Sequence, residues 1–274
     1  MNHKITTLSP RQTFEDNMRP AVLLLRVYRL LDSNDNILTE GGLLDALREI
    51  TQAPADEDLM LIYNELFLGL VRERAQLPRS TLRQATLCHL LRQAVVASCT
   101  ALETYLPALL RANLPMVLRA RGRDFYPRDD KVLKGFFSDL RFSLDDTLRL
   151  IADENAAEYI SSKIVGFVNF KYLSGERGVH VVGALLGVAV PWDEIAMCLN
   201  RNREELTKPL NNTVKRRNDI VHRADRSRAD PGGKAQDITF AWTQHAVDTI
   251  NHVCLALDEL VASRVTELEA MIAA

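Results

Sequence analysis

From Leu87 to Leu110 the residues Leu87, Leu90, Leu91, Ala94, Val95, Cys99, Leu102, Leu106, Leu109 and Leu110 recur at the 3.6-residue period of an α-helix. The stripe holds for 24 residues, roughly 36 Å of helix, and commits the chain to helices. Composition agrees. Of 274 residues, 41 are Leu and 28 are Ala, a quarter of the chain from strong helix formers. Only 6% are aromatic, Gly (12) and Pro (10) are sparse, and strand-favouring residues cluster in few places. The expected fold class is all-α.

Charge and cysteine usage remove several functions. Lys plus Arg (34) nearly balances Asp plus Glu (36), for a formal net charge of -2. That excludes a globally basic nucleic-acid binder but leaves local patches open. The longest apolar run, Val179 to Val190, is broken by Gly183 and Gly187 and falls short of the ~20 residues a span needs, so no membrane is expected. The first residues, Met-Asn-His-Lys-Ile-Thr-Thr, lack an apolar signal-peptide core. Cys88, Cys99, Cys198 and Cys254 lie far apart on helical patterns with no Cys-x-x-Cys, which fits reduced, buried thiols in a cytoplasmic protein. No cofactor or metal is expected. Glycines 175, 178, 183 and 187 lack the strand-turn-helix context of a phosphate loop. His245, Asp248 and His252 share a helix face but suit amphipathic packing better than a metal site.

Two regions are expected. Residues 1–77 read as an N-terminal helical extension: a stripe from Glu15 to Asp32, a short helix to about Ile50, and a third from Asp56 to about Arg74. Residues 78–274 read as a helical bundle opened by the long stripe. A polar loop is expected over 119–131, then helices over 131–140, 143–152 and 155–170, and a loop over 171–178. The 179–190 run reads as buried helix, and Pro191 restarts the chain into a helix to Asn200. Thr207 opens the next helix, with Pro209 in its first turn, and Asp230-Pro-Gly-Gly stops it. One long helix closes the chain. Trp192 and Trp242 read as core anchors.

One residue breaks the pattern. Arg217 occupies the apolar stripe of its helix (Leu210, Val214, Arg217, Ile220), where a leucine is expected. An always-charged guanidinium on a buried face needs a partner, since leaving it unpaired costs several kcal/mol. On the long upstream helix Arg92, Val96, Cys99 and Glu103 share a face, again setting charges among apolar residues. His222 follows Arg217 by five residues, about 140° further round the helix and near its end. Asn218 and Asp219 between them are poor interior helix formers. Cleaving RNA without metal needs a proton shuttle working near neutral pH and a fixed cation beside the phosphate. Histidine and arginine supply these.

The segment Val214-Lys-Arg-Arg217-Asn218-Asp-Ile-Val-His222-Arg resembles the Arg-x4-6-His signature of the HEPN superfamily. Leu91-Arg92-Gln-Ala-Val-Val-Ala-Ser-Cys-Thr-Ala-Leu102-Glu103-Thr-Tyr105-Leu resembles the first long helix of its ribonuclease-L/PSP-like group. The resemblance covers about residues 80–268. It implies a four- to five-helix bundle that dimerises so that two Arg/His pairs face each other, and metal-independent RNA cleavage leaving a 2′,3′-cyclic phosphate. It implies that Arg217 stabilises phosphate charge, His222 transfers protons, Asn218 orients the substrate or the pair, and Glu103 pairs with Arg217. It further implies a bacterial toxin or antiphage-defence effector, with an antitoxin or regulatory protein as partner. Toxins of the superfamily controlled by tyrosine AMPylation carry Tyr two residues after the His; here that residue is Ala224. The alternative is a catalytically silent HEPN scaffold for dimerisation or regulation. Around the motif Lys215, Arg216, Arg223 and Arg226, with Arg228, form a basic cluster expected to contact RNA. The arginines at 119, 121, 123 and 128 read as a solvated loop.

Overall fold

A computed structural model describes residues 8–31, 84–125, 130–152, 155–171 and 174–273, except 228 and 231. The helices expected near residues 41–50 and 56–74, and the boundary at 77/78, lie outside the described residues. Within them the protein is all-α. The helices are α1 (Pro10–Leu31), α2 (Gln84–Arg121), α3 (Lys131–Asp139), α4 (Leu144–Ala152), α5 (Ala156–Lys171), α6 (Gly175–Leu185), α7 (Pro191–Cys198), α8 (Arg203–Arg223) and α9 (Phe240–Ala273). A single antiparallel bridge, Arg226 to Ala235, is the one β-type pairing among the described residues.

Helix α2 is the axis. Its 38 residues pack against α1, α5, α6, α8 and α9. Consecutive residues Ala101 and Leu102, Tyr105 and Leu106, and Leu109 and Leu110 are all buried, so α2 is covered on more than one side. By length and composition α2 could also cross a membrane, but half of its apolar window is buried inside the protein. Helix α1 lays Phe14, Met18, Ala21, Leu25 and Tyr28 into the same core. Its ring contacts are Phe14 with Tyr105 at 5.1 Å and Tyr28 stacked on Phe240 at 6.0 Å. Thus the described part of the N-terminal region shares the core of the bundle.

Several element boundaries differ from the sequence expectation, each for a local reason. Helix α2 runs on through Arg119 to Arg121, because Leu114 and Val117 keep the buried stripe alive beyond Leu110; a 3₁₀ turn over Gly122–Phe125 follows. Helix α6 begins at Gly175 rather than after 178. Gly175 has φ +73°, and a Cβ there would stand 2.9 Å from Asn211 Oδ1. That oxygen accepts the Glu176 N–H at 3.0 Å, tying the start of α6 to α8. Helix α8 begins at Arg203, because Asn202 and Glu205 form a capping box. Pro209 therefore lies in the second turn, not the first. The 179–190 run is helix to Leu185 and then turns at Gly187, φ +90°.

Candidate active site

Helix α8 buries Leu206, Leu210, Thr213, Val214 and Ile220 and exposes Lys208, Asn211, Lys215, Asn218 and His222 on the opposite side. Arg217 follows the buried stripe and turns towards α2, where its guanidinium pairs with the Glu103 carboxylate. The two side chains keep 18% and 25% exposure, so the pair is shielded yet reachable from solvent. Cys99, one turn before Glu103, lies against the same guanidinium. Burial pushes its thiol up to about 11, with the Arg217 charge pulling the other way. Arg217 Nε is buried without a hydrogen-bond partner among the described residues.

His222 occupies the last turn of α8 and is exposed, as is Asn218 one turn earlier. Its ring makes no hydrogen bond to the described residues. Val221 beside it is exposed as well. Within one chain, then, Arg217 faces the core while His222 and Asn218 face out.

The helix stops immediately after this motif, seven residues before the expected Asp230-Pro-Gly-Gly break. Ala224 and Asp225 both take left-handed backbone, φ 49° and 64°, and the Asp225 N–H returns to the Asp219 carbonyl at 2.9 Å. This turn drives the Asp225 side chain fully inside. There Arg216 pairs with it, Nη2 donating to Oδ2 at 2.8 Å and Nε in ion-pair contact with Oδ1 at 2.5 Å. Buried Arg92 of α2 adds a third contact, Nε to Oδ2 at 2.7 Å. One carboxylate thus serves two guanidiniums. Arg92 Nη2 reaches the Gln236 carbonyl at 2.8 Å, and Arg216 Nη2, the nitrogen already on Asp225, is shared with the carbonyls of Gln236 at 3.1 Å and Asp237 at 2.9 Å. Charged groups out of water persist only when paired with opposite charge and extensively hydrogen-bonded, as here.

The expected RNA contacts divide accordingly. Lys215 and Arg226 are exposed, with Arg226 Nε donating to the Gly233 carbonyl at 2.9 Å. Arg223 pairs with Asp219 at 2.7 Å and stays one-third exposed. Arg216 is different: its guanidinium is consumed by Asp225 and turned inward, because a buried carboxylate outcompetes solvent for it. Arg228 lies outside the described residues. The arginines at 119 and 121 belong to α2, with Arg119 paired to Glu158. His245, Asp248 and His252 do not converge, since Asp248 accepts from Gln244 at 2.8 Å and His245 lines a separate cleft. Among the described residues no group of three His, Cys, Asp or Glu side chains meets at one point.

Asp225 is the residue that sequence reasoning passed over. The signal for its partner was present, since Arg92 is a charge on an apolar face. Arg92 and Glu103 are eleven residues apart, about 16 Å along one helix, too far to pair with each other. No family model, curated protein or solved structure matches the chain.

Proposed function

We propose that the chain is a metal-independent endoribonuclease of the HEPN type, acting as a homodimer whose two α8 motifs face each other. The observation that carries the reading is the split of one helix turn: Arg217 shielded and pre-oriented by Glu103, His222 and Asn218 exposed beside it. Arranged across a two-fold axis, two such turns surround a phosphate with fixed cations and imidazoles. Exposed Val221 supplies an apolar centre for the contact.

The substrate's own 2′-hydroxyl is the nucleophile. His222 takes up or delivers the proton as the 2′-oxygen bonds to phosphorus and the P–O5′ bond breaks, leaving a 2′,3′-cyclic phosphate and a 5′-hydroxyl. Arg217 stabilises the charge that builds on the phosphoryl oxygens, and a pre-oriented cation does this without reorganisation. Asn218 holds the substrate or the pair in register. Lys215, Arg223 and Arg226 track the backbone electrostatically. The resemblance in the motif supports a role as a toxin or antiphage-defence effector restrained by a partner protein.

A 2′-hydroxyl nucleophile makes the sugar decisive. RNA should be cut and DNA of the same sequence left intact; cleavage of an all-deoxy substrate contradicts the mechanism. One observation favours the silent-scaffold reading: Arg217 and Glu103 neutralise each other within a single chain. Under that reading folded wild type cuts no RNA, and His222→Ala changes nothing.

A further inference from the structure

The C-terminal half of α8 carries the proposed chemistry, and a cleft beside its N-terminal half has no part in it. The cleft lies between α8 and α9 and holds about 400 Å³, within the range of small-ligand sites. Its walls include Glu204, Glu205, Lys208 and Asn212 from α8, and Trp242 and His245 from α9. Trp242 packs against the hydrophobic core but is half-buried, leaving part of its ring open to the cleft. The Arg216 guanidinium carbon sits 5.7 Å from its ring centre, and Asp225 fixes that guanidinium in turn. An aromatic wall held in place from behind is a stacking surface.

We infer that this cleft binds a guanine base of the RNA substrate, stacked on Trp242 with its Watson–Crick edge on the Glu204 carboxylate. The inference rests on the ribonuclease reading and adds a base preference to it. Charge decides between base and phosphate. Two carboxylates against one lysine repel a phosphate, whereas a carboxylate accepts N–H groups. Guanine alone among the four bases presents two adjacent donors, N1–H and N2–H₂, to meet both oxygens of one carboxylate. Glu205 already accepts the Asn202 N–H at 3.4 Å in the helix cap, which leaves Glu204 as the principal acceptor. Lys208, Lys215 and His222 recur at seven-residue intervals on the exposed side of α8, about 10 Å apart and within roughly 40° of one line. They form a polar rim, carrying two lysine charges, that leads from the cleft to the proposed cleavage point, so the bound base sits a few nucleotides from the scissile phosphate.

The test titrates GMP, AMP, CMP and UMP, with inorganic phosphate as control, and reads intrinsic fluorescence. The chain has two tryptophans. Trp192 is fully buried and donates to the Glu176 carbonyl at 2.9 Å, so quenching reports Trp242. GMP should quench saturably and bind about tenfold or more tighter than the other three, as one bidentate base contact provides. The signal should vanish in Trp242→Phe, and Glu204→Gln should bring GMP level with AMP while leaving the melting temperature unchanged. Cut sites mapped on an RNA pool should carry guanine at a fixed offset, and Glu204→Gln should erase that bias. Absence of saturable quenching by GMP, or equal quenching by GMP and AMP, overturns the proposal. Mononucleotide binding needs no cleavage, so the titration stands even if no RNA is cut. Unbiased cutting without GMP binding removes the guanine site and leaves the nuclease intact.

Discussion

Arg216 and Arg217 are neighbours on α8 and end in opposite circumstances. Arg216 closes on a carboxylate with no exposure at all, together with Arg92, whereas Arg217 meets Glu103 at a partly open edge. Removing the Asp225 charge would leave two shielded guanidiniums without their counter-ion. Asp225→Asn should therefore cost about 3–5 kcal/mol in urea unfolding, and a loss below about 1 kcal/mol would show the cluster to be dispensable. The half-open pair is worth less: Glu103→Gln should lower stability by about 1–3 kcal/mol and slow RNA cleavage together. An unchanged melting temperature argues against the pairing. Periodicity exposed Arg92, Glu103 and Arg217, because a charge in an apolar stripe is visible without coordinates. Asp225 was not legible that way. It follows the helix, and its burial comes from two left-handed residues, a conformation with no repeat in the sequence. Arg216 stood in a basic run and read as an RNA contact for the same lack of a marker.

At the level of elements, α2 supplies the wall on which α8 is fixed at two points, Arg92 towards its end and Glu103 a turn and more back. That arrangement holds the motif's backbone from the core side and leaves its outer side free. Helix identities were legible wherever the apolar period ran long. Starts were less so, because they depend on caps such as Asn202–Glu205 and on close approaches such as Gly175 to Asn211. Helices α4 and α5 are joined by Asp146, whose carboxyl the Lys163 ammonium, the Tyr159 hydroxyl and the Ser143 N–H hold well below the usual carboxylate range. A depressed carboxyl stabilises the fold above its unfolded value, near pH 4, and the contribution fades as pH falls towards the lower folded value. Melting curves of wild type and Asp146→Asn should differ at pH 7 and converge as pH drops below about 3. A gap that persists in acid would assign the effect to packing instead.

Over the whole molecule, the all-α class was readable from the composition and the Leu87–Leu110 stripe, whereas the burial of α2 on more than one side, which makes it the axis of the described residues, was not. Under the proposed reading, what the motif does depends on a second copy meeting the exposed face of α8, a contact that no single-chain pattern encodes. The central claim is that Arg217 and His222 together cut RNA without metal. The most direct measurement is cleavage of an RNA pool in EDTA by wild type, Arg217→Ala and His222→Ala, each verified as folded, with the 3′ end of the product identified. The account predicts a 2′,3′-cyclic phosphate from wild type and loss of at least about a hundredfold in rate from either variant, the scale of a general acid or base. Cleavage that survives His222→Ala, or that stops when EDTA is added, would contradict it.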